Sequence, residues 1–282
     1  MRHSIWAVAL MTAVGFWPSL QGQSLEIGGF YGISNYLGDL QQVRFEVATI
    51  QRAYGLYARW FPTKSLALKA QLYKGTLTGA DANYPTLEPV RRRNLSFRSP
   101  LYEAAAIVEF HFLQFGVKRI LAAPFFYGGV AAFHFNPQTI FNGEWVALQP
   151  LGTEGQGHQP GSPSPYSLTQ VSIPFGLGFS INPTPQISLS FELGFRKTWT
   201  DYLDDVSGTY PDLAVLRESN PTAAALSYRA LEQPNDALTN PVGQTRGNPD
   251  RKNDMYFFAG STLGFRLFTR KKKQSPPLFV LN

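Results

Sequence analysis

Between positions 171 and 195 the chain alternates with a period of two. Val171, Ile173, Phe175, Leu177, Phe179 and Ile181 are separated by Ser172, Pro174, Gly176, Gly178 and Ser180. After Asn182, Pro183, Thr184 and Pro185 the pattern resumes, with Ile187, Leu189, Phe191, Leu193 and Phe195 set against Ser188, Ser190, Glu192, Gly194 and Arg196. Successive side chains of a strand point to opposite faces, so each run has one apolar face and one small or polar face. The pair reads as a β-hairpin. The same reading finds strands near 25–34, 50–61, 66–78, 101–113, 122–135 and 255–268, which with the hairpin makes eight.

Connection lengths then fix how the strands are arranged. Those at 62–65, 114–121 and 182–186 are short, those at 35–49, 79–100, 136–169 and 197–254 are long, and the two kinds alternate. Bacterial outer-membrane barrels have an even strand number, short periplasmic turns and long external loops. The expected fold is all-β: an eight-stranded antiparallel transmembrane β-barrel with both termini in the periplasm. The alternation also fits a soluble barrel whose apolar face points inward. Composition favours lipid, since charged residues make up only 16% of the chain, against roughly 25% in a soluble globule. The polar strand faces, mostly Gly, Ser, Gln and Tyr, are too poor in charge to face water. After the first 20 residues no stretch approaches the roughly 18 consecutive apolar residues of a membrane-spanning helix, so a crossing must use strands.

The N-terminus carries Arg2 and His3, an apolar run at 5–17, then Pro18, Ser19 and Gly22, the tripartite plan of a Sec-type signal peptide. The expected division is a signal peptide at 1–23, an outer-membrane barrel at 24–268 and a basic, Pro-containing periplasmic tail at 269–282. The chain has no cysteine. That removes disulfides, thiolate chemistry and a lipidated cysteine.

With the apolar face on lipid, Glu26, Arg59, Lys69, Glu103, Glu109, His111, Glu192, Arg196 and Arg266 point into the lumen. A basic residue facing hydrocarbon at midplane would cost roughly 2–4 kcal/mol. An eight-stranded barrel is just wide enough inside for side chains, so these charges are expected to pair, fill the lumen and leave no pore. Pairing is required of ionic groups in so narrow a space, which outweighs a catalytic reading of Glu103, Glu109 and His111. The four histidines, at 3, 111, 134 and 158, show no metal spacing, and no Gly-rich phosphate loop follows a strand. His134 and His158 are the only candidates for an outer-membrane hydrolase. Asp201, Asp204 and Asp205 are not spaced as calcium-loop ligands. The reading therefore assigns no catalytic residue, metal, cofactor, small-molecule substrate or nucleic acid.

Two basic clusters carry much of the formal charge of +6: Arg91 to Arg93, and Arg270 with Lys271, Lys272 and Lys273. The first suits lipopolysaccharide phosphates and the second anionic headgroups. Beyond it, Pro276 and Pro277 lack ladder donors, and Leu278 and Phe279 open an apolar tip that either inserts at the inner leaflet or docks on a periplasmic partner, so this tail is the candidate periplasmic docking element. In the fourth long loop Asn220 and Pro221 form an N-cap and N1 pair, and 222–233 is rich in Ala and Leu, which predicts that a short helix begins there. The Gly, Pro and Ser of 150–165 predict a mobile third loop.

Tyr36, Gly38 and Asp39 lie in the motif Ser-Asn-Tyr-Leu-Gly-Asp-Leu at 34–40. Asp201, Tyr202, Asp204 and Asp205 lie in a second at 200–210, and Arg246, Gly247, Asn248 and Asp254 lead into the last strand. Together these motifs resemble the PorG-like outer-membrane β-barrel family of Bacteroidota, and the resemblance runs through the mature chain. It implies a structural subunit of the type IX secretion and gliding machinery that contacts a periplasmic ring of PorK and PorN. The alternatives from other classes are a generic surface barrel, adhesin-like or porin-like, and an outer-membrane hydrolase.

Overall fold

Strands that cross a bilayer leave no unpaired edge only by closing into a barrel, and these close. The computed structural model describes residues 24–43, 46–63, 65–112, 115–117, 120–158, 162–232, 241–248 and 253–267. Within them run β1 (Ser24–Leu37), β2 (Gln51–Phe61), β3 (Leu66–Ala80), β4 (Ser96–His111), β5 (Phe115–Val117), β6 (Ile120–Phe135), β7 (Gln138–Phe141), β8 (Glu144–Ala147), β9 (Thr169–Asn182), β10 (Ile187–Thr198) and β11 (Met255–Arg266). Three short helices decorate the long connections: α1 (Glu88–Arg93), α2 (Leu213–Ser219) and α3 (Pro221–Ser227). The segments 1–23 and 269–282, read from the sequence as signal peptide and tail, lie outside the described residues.

Each barrel strand pairs antiparallel with its neighbour in the order β1, β2, β3, β4, β6, β9, β10, β11. The ring is closed by β11 on β1, from Glu26 opposite Arg266 to Leu37 opposite Met255. The result is a closed eight-stranded barrel. Its register sends the apolar alternation outward: Leu56 is 69% and Val130 66% exposed, while Tyr57 and Ala131 beside them are buried. So much exposed Leu, Val, Ile and Phe on one surface is stable against hydrocarbon and not against water. This is a transmembrane barrel, with the short connections at one end and the long ones at the other.

Several strands run past the lengths expected from their patterning. β3 reaches Ala80 and β4 begins at Ser96, so their ladder runs on to Ala80 opposite Ser96. The third long connection also differs from expectation. It forms the hairpin β7–β8, turned by Asn142 at φ 53° and Gly143 at φ 85°, the two left-handed residues of a type I′ turn. Residues 150–158 are packed, contrary to the mobility expected of 150–165. Leu151 lies against the cluster of Leu216, Ala223 and Ala224 on α2 and α3, and Thr153 and Gln156 are buried. Gly and Pro there shape turns that are tied down by neighbours. In the fourth connection a helix starts where expected, since the Asn220 side chain accepts a hydrogen bond from Ala223 N at 3.1 Å. It is short, ending at Ser227, and α2 precedes it.

Candidate functional site

The lumen is crossed by ionic groups. Arg59 on β2 reaches three carboxylates from three strands: Glu26 at 2.8 Å, Glu109 at 2.9 Å and Glu192 at 3.1 Å. Lys69 on β3 bonds Glu192 at 2.7 Å and lies 3.8 Å from Glu109. His111 Nε2 is 3.0 Å from Glu109. Arg266 closes the short-turn end with Glu26 at 3.1 Å and Asn182 at 2.8 Å. A second knot lies nearer the long loops. Arg196 binds Glu103 through Nε at 2.9 Å and Nη2 at 3.1 Å, and Glu103 also accepts from Gln71 at 2.9 Å and Tyr256 at 3.0 Å. Arg59, Glu26 and Glu103 have no exposed side-chain surface.

These side chains need room, and glycine supplies it. A Cβ on Gly264 would meet the Tyr57 hydroxyl and the Glu26 carboxylate, and one on Gly194 would meet the Tyr127 hydroxyl. Above the charges an apolar layer that includes Phe30, Tyr73, Leu77, Phe133, Tyr256 and Phe258 fills the bore. Phe30 stacks on Tyr73 at 4.3 Å, and Arg196 lies 4.6 Å from the Phe258 ring. Both layers of the bore are occupied by buried side chains.

Beyond this layer the residues of the sequence motifs meet in one clasp at the long-loop end. The Tyr36 hydroxyl, at the end of β1, donates to Asp204, and Leu40 N donates back to Tyr36 at 3.1 Å. Leu203 N donates to Asp254 at 2.9 Å. Gly38 lies so close to Asp254 that a Cβ would run into its carboxylate, and Gly247 approaches Asp39 in the same way. Asp205, at φ 67°, accepts from Thr153 at 2.5 Å and Tyr166 at 2.6 Å. Tyr166 stacks on Tyr202 at 4.6 Å, and Ser207 Oγ donates to Asp201 at 2.9 Å. Arg246 ties the layers together: it donates to Asp205 O at 2.6 Å, Glu154 at 3.1 Å and Ser227 O at 3.3 Å. Asn248, the last of these motif residues, is half-buried beside them.

The clasp is electrostatically costly. Burial first, and then the charge of Asp39, pushes the Asp204 carboxyl well above the usual carboxylate range. Burial, followed by Asp204, Asp39 and Asp201, does the same to Asp254. Asp205 is pushed up to about 6 by burial, against the pull of Arg246. Among the described residues no group of three or more His, Asp or Glu side chains could hold a metal ion.

Other sequence candidates are not gathered here as expected. Arg93 turns inward and pairs with Asp81 at 2.6 Å and with the carbonyls of Arg246 and Asp39 at 2.7 and 3.0 Å. Arg91 pairs with Glu88 at 2.7 Å on α1. Of the triplet, Arg93 is thus part of the cap, while Arg91 and Arg92 stay on the outer surface of α1. His134 bonds Thr169 at 2.9 Å, and His158 lies between Ser219 at 2.9 Å and Leu151 O at 2.6 Å. The two histidines therefore sit in separate surroundings. Residues not singled out from the sequence carry much of both sites. Gln71 and Tyr256 sit on predicted strands, but Glu154, Thr153 and Tyr166 lie in or beside the segment read as mobile.

These features define a class: a closed, lipid-facing eight-stranded barrel whose bore is filled by paired charge and whose long loops are clasped into a cap. The chain belongs to the family described as Domain of unknown function (DUF6089), whose model matches residues 5–151. Solved structures similar to it include the N-terminal β-barrel domain of Pseudomonas aeruginosa OprF, at 13% identity over 86% of this chain and 97% of that one, with a TM-score of 0.36. Ail of Yersinia pestis is similar at 9% identity over 87% and 99%, TM-score 0.39. Neisserial surface protein A is similar at 10% over 86% and 98%, TM-score 0.40. No curated protein matches the sequence.

Proposed function

We propose that this chain is a non-enzymatic, non-conducting anchor in the bacterial outer membrane, reached by Sec-type export, with both termini in the periplasm and the clasped loops outside. The observation that carries the reading is the bore: Arg59 and Arg196 are buried and each is bonded to carboxylates on other strands, which leaves their charges satisfied and the lumen occupied. Purified protein in planar bilayers is expected to give no stable large conductance. A reproducible open channel in the folded barrel would overturn the plug.

The resemblance of the clasp motifs supports a more particular role, as a structural subunit of the type IX secretion machinery that contacts the periplasmic PorK and PorN ring. In that role the short turns and the tail at 269–282, with Lys271, Lys272, Lys273, Pro276, Pro277, Leu278 and Phe279, form the docking side. Pull-down from solubilised outer membranes tests it. Recovery of PorK and PorN with the intact chain supports the assignment, and truncation after Lys273 asks whether the spacer and tip are needed. If the intact chain recovers neither, the secretion role fails. The reading as a surface barrel acting through its loops then takes its place, favoured by the cross-tied cap built from 136–158 and 199–232.

A further inference from the structure

The lipid-facing surface is not evenly bulky. On β2, β3 and β4 the outward positions Ala58, Ala70 and Ala106 are consecutive Cα partners, and Ala104 on β4 faces Ala132 on β6. Around them stand Leu72 and Val130, 65% and 66% exposed. The floor is one methyl deep and the walls are two or three carbons taller, so the surface sinks into a groove of about 1000 Å³ with an almost wholly apolar lining, which continues past Val171 and Ile173 of β9 to Trp199. That is the size of a pocket for a sizeable ligand.

Beyond the groove, toward the long loops, stand three cations that do not themselves line it. Lys74 is the next outward residue after Leu72 on β3, and its ammonium lies 5.1 Å from the Tyr102 ring and 5.8 Å from the Tyr54 ring. These tyrosines are its Cα partners on either side. Arg52 is the next outward position beyond Tyr54 on β2, about 7 Å further along the strand. Arg98 stands two outward positions beyond Tyr102, about 14 Å along β4, with its guanidinium 5.0 Å from the Trp145 ring. Among the described residues none of the three cations forms an ion pair with a carboxylate, unlike those of the lumen and cap. Their stems can lie along hydrocarbon while the charged heads reach the polar level of the leaflet.

An apolar trough below and unneutralised positive charge above match an amphiphile with acyl chains and phosphate. The cations are spread along more strand than one phosphodiester spans, and aromatic faces stand between them. We propose that the groove on β2, β3, β4 and β6, with its lip of Lys74, Arg52 and Arg98, binds a phosphorylated, acylated glycolipid of the outer leaflet. The site rests on the reading of the chain as an outer-membrane barrel.

The test uses the purified, folded chain in detergent, titrated by native mass spectrometry with bis-phosphorylated lipid A, its dephosphorylated form, and phosphatidylglycerol of matched chain length. The bis-phosphorylated form is expected to bind at least about tenfold more tightly than the other two. At about 1 kcal/mol per cation, Lys74→Gln should weaken it about fivefold and the triple change to Gln at 52, 74 and 98 roughly a hundredfold. Ala70→Phe fills the trough from the lipid side, touches no lumen residue, and should weaken all acylated ligands together. Equal binding of the dephosphorylated lipid, or an unaffected triple variant, overturns the site. A dimer that Ala70→Phe abolishes assigns the groove to a second copy and overturns it too. A chain that cannot enter bilayers at all removes the membrane reading itself, whereas one that inserts but ignores phosphate removes only this site.

Discussion

Arg196 shows what a single side chain costs and contributes in this barrel. Its guanidinium lies in the bore, 1% exposed, in a two-point contact with Glu103. Removing one member of such a pair leaves the other charge buried without a counterion, which costs roughly 3–5 kcal/mol. Arg196→Ala is therefore expected to lower stability by about that much in denaturant titration of the lipid-inserted barrel. The compensated change Arg196→Met with Glu103→Gln should recover much of it, because Gln at 103 keeps one acceptor oxygen for either Gln71 or Tyr256, which donate to different oxygens of the native carboxylate, and no unpaired charge remains in this layer. If the single and double variants were equally unstable, packing and not charge would hold this layer.

At the scale of elements, the clasp decides how the long connections behave, and Asp205 makes that behaviour depend on pH. Its carboxyl titrates near 3.9 in an unfolded chain and at about 6 in the cap. Because the folded value is the higher one, its stabilising contribution is complete below about pH 3.9 and is lost as pH rises through 6, a difference of roughly 3 kcal/mol. Asp204 and Asp254 are raised in the same sense. Hydrogen exchange of the backbone at 200–210, corrected for intrinsic rates, should therefore show easier opening at pH 7 than at pH 4. Asp205→Asn should reduce the change between those values by its own share, leaving that of Asp204 and Asp254, and a cap that tightens with pH would contradict the assignment. The barrel elements were legible because one dominant force, lipid on one side and a narrow bore on the other, imposes period two on every strand. The cap was less so. Asn142-Gly143 between Ile140 and Trp145 is a hairpin signal present in the sequence, yet it was lost within a long, Pro-rich connection. The order of 150–158 comes from Arg246 and Asp205, far away in the chain, which no local pattern contains. The inward turn of Arg93 has the same origin, since Asp81 and the Arg246 carbonyl come together only after folding.

For the whole molecule, the seam between β1 and β11 turns topology into a schedule. Seven of the eight ladders join strands that follow one another around the ring in chain order, but the eighth joins the first strand to the last, with Glu26 meeting Arg266 across 240 positions. A contact so distant in sequence forms slowly. Until it forms, the free edge of β1 is a template on which any other strand could pair. Glu26 also bonds Arg59 on β2, so one carboxylate grips the neighbour that arrives early and waits for the one that arrives last. Glu26→Gln should slow the early β1–β2 hairpin only modestly, since its whole ladder and not one ion pair brings those neighbours together. It should prolong the open-ring species more, seen as delayed appearance of the compact band in timed electrophoresis. Equal timing for both steps would mean that the ladder alone, without this ion pair, sets the moment of closure.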